Sequence, residues 1–289
     1  GLSSGEVNAI ARFMQEGGGV FATGDHEDLG AGMSMDVPRV RAMRYWRLNE
    51  TPNVADPRRL TTNLPGSDGR FQFEDQSDVH PQRLYANYRT EAGGIGVPHP
   101  LLQIPTFFWA WPLEPKAVDV FPDHPHEGEC RIPSNLTTTF TLDGASVDEW
   151  PAATGGGGRV APEAAATTVS FGDGFPGKEP VAPRSFIAIA GYDGHRAGVG
   201  RVVTDATWHH FVNINLDGTG AGGGLTGLQA PLGTDTPELT KIRRDYKNIA
   251  TWLMPTTVRR CLRFPWIIEV LTKYPLAEEL RPIPLREAT

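Results

Sequence analysis

Five of the eight histidines stand in three short clusters where imidazole meets carboxylate or a second imidazole. The first is Asp25-His26-Glu27-Asp28, the second is Thr207-Trp208-His209-His210 just after Asp205, and the third is Asp123-His124-Pro125-His126-Glu127. An imidazole beside a carboxylate exchanges a proton near neutral pH, which general acid–base catalysis requires, and the same ligand types accept a divalent cation. On this reading His26 or His209 is the general base, Asp25, Glu27 or Asp205 orients it, and Gly24, Asp28, Trp208 and His210 line the substrate. A divalent-metal alternative (Zn, Mn or Fe) takes His26, Glu27 and His209 as ligands, with His124 and His126 as further candidates. His-x-His spacing is a weak metal signal, and the prolines of the third cluster equally suit a rigid solvated loop. The plainer readings are a polar loop closed by its own hydrogen bonds at 25–28 and a packed Trp with a satisfied His at 207–210.

What positions these clusters is the run of elements before them. Ser3 and Ser4 suit the cap of a helix whose apolar residues Val7, Ile10, Ala11, Phe13 and Met14 recur at helical spacing, and Gly17-Gly18-Gly19 stops it. Val20 to Thr23 then reads as a short buried parallel strand, so the first cluster follows the strand's carboxyl end, where open α/β sheets bind ligands. Ser185 to Ala190 and Val199 to Thr204 read as two strands joined by a glycine-rich turn, with the second cluster directly after them. Asp36 to Trp46 is expected to be a second helix with Pro38 in its first turn. From 49 to 183 the pattern is irregular, with an aromatic patch at Phe107-Phe108-Trp109-Trp111 and short strands at Thr137 to Leu142 and Thr167 to Phe171. Pro237 to about Met254 reads as helix, with further helix expected over 259–274.

Composition narrows the class. With 33 Gly and 25 Pro in 289 residues, much of the chain is turn and loop, yet 39% hydrophobic residues suffice for a globular core. A formal net charge of −7 speaks against a nucleic-acid surface. The apolar runs fall far short of the ~20 residues a membrane span requires, so neither nucleic acid nor membrane is expected as a partner. Two cysteines, Cys130 and Cys261, make no disulfide framework, and with no signal peptide at the start a cytoplasmic location is expected.

The segment from Ile10 to Gly30, IARFMQEGGGVFATGDHEDLG, resembles the helix–GGG–strand signature of the class I glutamine amidotransferase-like superfamily, above all its trehalose-utilisation (ThuA-like) branch. The segment from Gly198 to His210, GVGRVVTDATWHH, resembles the strand and histidine-containing loop of the same branch. The resemblance implies an α/β fold with a flavodoxin-like parallel sheet in three α/β/α layers. That domain would span 1–235 with a long irregular insertion at about 49–183, and 236–289 would be a helical C-terminal extension. It also implies that the Gly24–His26 elbow faces His209 or His210. The amidotransferases place a cysteine at the elbow; here Thr23-Gly24-Asp25-His26 occupy it, so thiol-based glutamine hydrolysis is not expected. What remains is a hydrolase or lyase for a small polar or carbohydrate-derived molecule, or a non-catalytic ligand-binding or assembly domain on the same fold. In the family about half of the sheet precedes this helix. The neighbours of the Val20 strand are therefore expected from a second copy or other partner chain, from a companion N-terminal fragment, or from the middle region folded back.

Overall fold

A computed structural model describes residues 1–24, 29–46, 82–90, 96–104, 116–121, 128–170, 184–206 and 236–261. Helix α1 (Ser4–Gln15) starts where the sequence says it should. Ser3 accepts the Glu6 N–H on its Oγ at 3.3 Å, and Glu6 Oε2 accepts the Ser3 N–H at 2.8 Å, so two otherwise orphaned donors are satisfied reciprocally. The Ser3 hydroxyl, which donates to Glu6 Oε2 at 2.7 Å, and then the Ser3 N–H hold the Glu6 carboxyl below its usual pKa. The helix buries Ala11 and Met14 and ends at Gly17, whose φ of 95° is left-handed.

Strand β1 (Val20–Ala22) follows, then helix α2 (Leu29–Ser34). The expected helix over 36–46 is replaced by a single 3₁₀ turn, Val40–Ala42. Arg39 has φ 67° and ψ −55°, and the Val40 N–H donates to Pro38 O at 2.8 Å. This γ-turn is incompatible with a helix through the same residues.

The middle region contributes short strands: β2 (Gln82–Arg83), β3 (Tyr85–Ala86), β4 (Tyr88–Thr90), β5 (Gly96–Pro98), β6 (Gln103–Ile104), β7 (Lys116–Ala117) and β8 (Val120–Phe121). It also forms the hairpin β9 (Thr139–Leu142) and β10 (Ala145–Asp148), turned by Asp143 and Gly144 at φ 52° and 81°. Two positive φ values in a two-residue Asp-Gly turn match the twist of the flanking strands. The longer strands β11 (Glu163–Ser170), β12 (Arg184–Tyr192) and β13 (Val202–Asp205) complete the set, with helices α3 (Pro237–Leu253) and α4 (Thr256–Cys261) after them.

Five strands form the central sheet in the order β1-β13-β12-β11-β3. The chain is therefore of mixed α/β content with a mixed sheet. The β1–β13 pair is parallel, in register Val20↔Val202 to Ala22↔Thr204, whereas β12–β13, β11–β12 and β3–β11 are antiparallel. The all-parallel expectation is corrected here: β12 and β13 are joined by a turn from Asp193 to Arg201, too short for the crossover that parallel neighbours require. Two of the five strands, β3 and β11, come from the middle region, but they lie at the end of the sheet away from β1, whose one strand neighbour among the described residues is β13.

Both sheet faces are covered. Adjacent β13 residues separate: Val202 joins a core with Met14, Trp150 and Tyr192, and Val203 joins another with Leu101, Leu102, Ile249 and Trp252. Alternate strand residues point to opposite faces, so α1 packs on one side and α3 on the other. The two segments that carry the resemblance meet at main-chain level: Gly200 N–H donates to Met14 O at 2.6 Å, and a Cβ on Gly200 would collide with Gly18 O. Among the described residues no helix is long and apolar enough to cross a membrane.

Candidate functional site

Because β1 and β13 are parallel neighbours, their carboxyl ends lie at the same edge of the sheet. Thr23 Oγ1 donates to Asp205 O at 3.3 Å, tying the two ends directly. Gly24 comes next, and a Cβ there would stand 2.7 Å from the Cα of Gly30. Gly24 and Gly30, on either side of residues 25–28, therefore approach so closely that only residues without a side chain fit there.

At the centre of this edge sits Arg44, 1% exposed. Its Nη1 donates to Asp205 O at 2.7 Å, its Nη2 to Gly24 O at 3.3 Å and its Nε to Gly128 O at 3.0 Å. The guanidinium lies over the Trp46 ring, 4.9 Å from its centroid. Each acceptor carbonyl belongs to the root of one of the three histidine clusters. Gly24 precedes Asp25 to Asp28, Asp205 stands two residues before Thr207 to His210, and Gly128 follows the His124 and His126 cluster. One planar fork of donors thus gathers three chain segments far apart in sequence.

Of the residues expected to form the site, Gly24 and Asp205 are described and are brought together. Asp25, His26, Glu27, Asp28, His124, His126, Trp208, His209 and His210 lie outside the described residues. Asp205 is fully buried. From α3, Asp245 is also buried, and burial first, then the charges of Asp245 and Asp205, push the Tyr246 phenol far up so that it stays protonated. These helix residues, like Arg44, carry no motif that the sequence would flag. Among the described residues no group of three or more His, Cys, Asp or Glu side chains is placed to hold a metal ion, and the proposed metal ligands are not among them.

Cys130 sits beneath the same edge. Its Sγ donates to Ala188 O and Thr204 O, both at 3.3 Å, and burial pushes its pKa up to about 12. A thiol so buried does not form the thiolate that nucleophilic catalysis needs.

The histidine His99 belongs to the opposite end of the sheet. It is 1% exposed, its Nδ1 accepts the Leu101 N–H at 3.2 Å, and its ring meets Trp252 edge-on at 5.5 Å. Burial lowers its pKa to about 3, assisted by Arg89 and Arg201 and opposed by Asp193, so it is a neutral core residue.

No protein-family model, curated protein or solved structure matches the chain.

Proposed function

We propose that the chain is a hydrolase or lyase for a small polar or carbohydrate-derived substrate, working by histidine–carboxylate acid–base chemistry on a mixed-sheet α/β scaffold that resembles the ThuA-like type. The observation that supports this reading is the convergence on Arg44 of the main-chain roots of all three histidine clusters. His26 or His209 takes the proton, and Asp25, Glu27 or Asp205 holds the imidazole in the tautomer and orientation that the transfer needs. The buried, protonated state of Cys130 fits a mechanism without a thiol nucleophile.

The test is an assay of the full chain on sugar lactones and p-nitrophenyl glycosides, with His26→Ala and His209→Ala alongside. At least one variant is expected to lose about 10²- to 10⁴-fold in kcat with an unchanged melting temperature. Full activity in both would overturn the assignment. A second reading is favoured by the root of the third cluster lying on the same arginine. In it His124 or His126 joins His26, Glu27 and His209 around a divalent cation. Near-unit Zn, Mn or Fe in the purified protein, with activity lost on chelation and restored by that metal, would select it.

A further inference from the structure

Beside Arg44 a cavity of about 530 Å³, a size suited to a small ligand, opens between the Val40–Ala42 turn and the segment 131–138. Among the described residues its charged lining is Arg41, Arg44 and Arg131 against one carboxylate, Glu149, in a chain whose formal net charge is −7. The local excess of cations runs against the field of the whole protein.

Two of these arginines are anchored along one edge and keep donors on the other. Glu149, 1% exposed, accepts from Arg41 Nε at 3.1 Å and from Nη2 at 3.0 Å. Arg41 Nη2 also reaches Thr139 O at 3.4 Å, which leaves Nη1 without a partner among the described residues. Arg131 donates its Nε to Ala42 O at 2.8 Å and lies over the Tyr45 ring at 5.0 Å, and both its terminal nitrogens lack a partner among the described residues. On the same wall Asn135 uses its Oδ1 to accept from Thr137 N and Oγ1, which leaves its amide NH₂ as a donor, and the buried Thr138 Oγ1 has no hydrogen-bond partner among the described residues.

We propose that this cavity binds the oxyanion of a small ligand, a carboxylate or a phosphate ester, and that the substrate of the neighbouring site is therefore an acidic sugar derivative. Guanidinium groups fixed by a carboxylate, a carbonyl and an aromatic face need little reordering to accept such a group, and planar forks suit its paired oxygens. Linking this anion to a reaction rests on the function proposed above; the binding itself does not.

Trp46, one of seven tryptophans, lines the cavity, so the ligand-dependent change in tryptophan emission that disappears in Trp46→Phe reports occupancy of the cavity in the full chain. Titration with glucuronate, glucose 6-phosphate and uncharged glucose is expected to saturate with at least one of the two anions and not with glucose, and the stronger anion identifies the group as carboxylate or phosphate. Arg131→Gln should weaken that anion by about tenfold or more. Asn135→Asp keeps the acceptor of its turn but sets a negative oxygen in place of the amide donor, and should weaken it too. Arg12→Gln removes the same charge from a residue that does not line the cavity and should leave affinity within about twofold. Saturation by neither anion, equal binding of glucose, or equal weakening by Arg12→Gln overturns the proposal. Should Arg131→Gln fail to fold, unchanged affinity in the exposed Asn135→Asp variant does so. The readout requires no turnover: full activity in both His26→Ala and His209→Ala would sink the acid–base reading and leave this titration standing, while a failed titration with those variants inactive would sink only the anion site.

Discussion

At each end of the central sheet a buried arginine lies over a tryptophan, and the two ends use it differently. At the amino end of β13, Arg201 donates to Asp193 Oδ1 at 2.6 Å and to Trp252 O at 2.8 Å, with the Trp252 ring 4.6 Å below. Cation and anion there belong to one tight turn, so the charges meet locally and close the end. At the carboxyl end, Arg44 is spread over carbonyls of three distant segments. The first arrangement seals a hairpin. The second joins three distant segments at the carboxyl edge of the parallel pair β1–β13, the kind of edge where open α/β sheets bind ligands.

The sharpest way to break this contrast is to remove each arginine in turn. Arg44→Ala strands three buried carbonyls and should cost on the order of 3–5 kcal/mol in urea unfolding. Amide exchange should accelerate together near Gly24, Gly128 and Asp205. In Arg201→Ala the acceleration should instead centre on the Asp193 turn and Trp252. Identical exchange patterns would show that the two ends are not distinct devices.

Acid sharpens it from the other side. His99 titrates near 6.5 when unfolded and about 3 when folded, so its neutral form stabilises the native state fully above about pH 6.5. That contribution is lost as pH falls from there towards 3, with a slope approaching about 1.4 kcal/mol per pH unit. The groups around it are Glu163, whose Oε1 is 3.8 Å from Nε2, with Arg89, Asp193 and Arg201. His99→Asn should flatten the slope measured by unfolding between pH 4 and 6; an unchanged slope would place the acid sensitivity elsewhere.

Smaller effects follow. Asp193→Asn weakens one charge-assisted bond and should cost roughly 1–2 kcal/mol. Arg12→Ala removes the exposed pair with Asp143 and should shift stability by less than about 0.5 kcal/mol. A larger loss there would mean that surface charge, not the buried arginines, dominates.

Where the stabilising partners are local, the elements were legible in the sequence. Ser3 and the helical spacing of Val7, Ile10, Ala11 and Met14 announce α1, the glycine run announces its stop, and the turn between β12 and β13 is visible in Asp193, Gly194 and Gly198. Asp143-Gly144 carried an equally clear hairpin signal, although only its first strand was anticipated. The misread segment is 36–46, because the backbone of Arg39 is fixed from 110 positions away: its N–H donates to Glu149 Oε1 at 2.5 Å and its Nε to Glu149 O at 2.8 Å. Likewise the histidine clusters were visible as residue types, while the arginine that gathers their roots was not. Its acceptors are main-chain carbonyls, which every residue possesses and no motif records.

The position of Cys130 has a practical corollary. With its sulfur sealed between Ala188 O and Thr204 O, a thiol reagent reaches it only when the sheet around the Arg44 junction opens. In a Cys261→Ser background, the rate of covalent labelling at Cys130 becomes a clock for that opening. A bound ligand that clamps the junction would slow the clock in proportion to its occupancy, which turns a chemically inert thiol into a built-in reporter for finding that ligand.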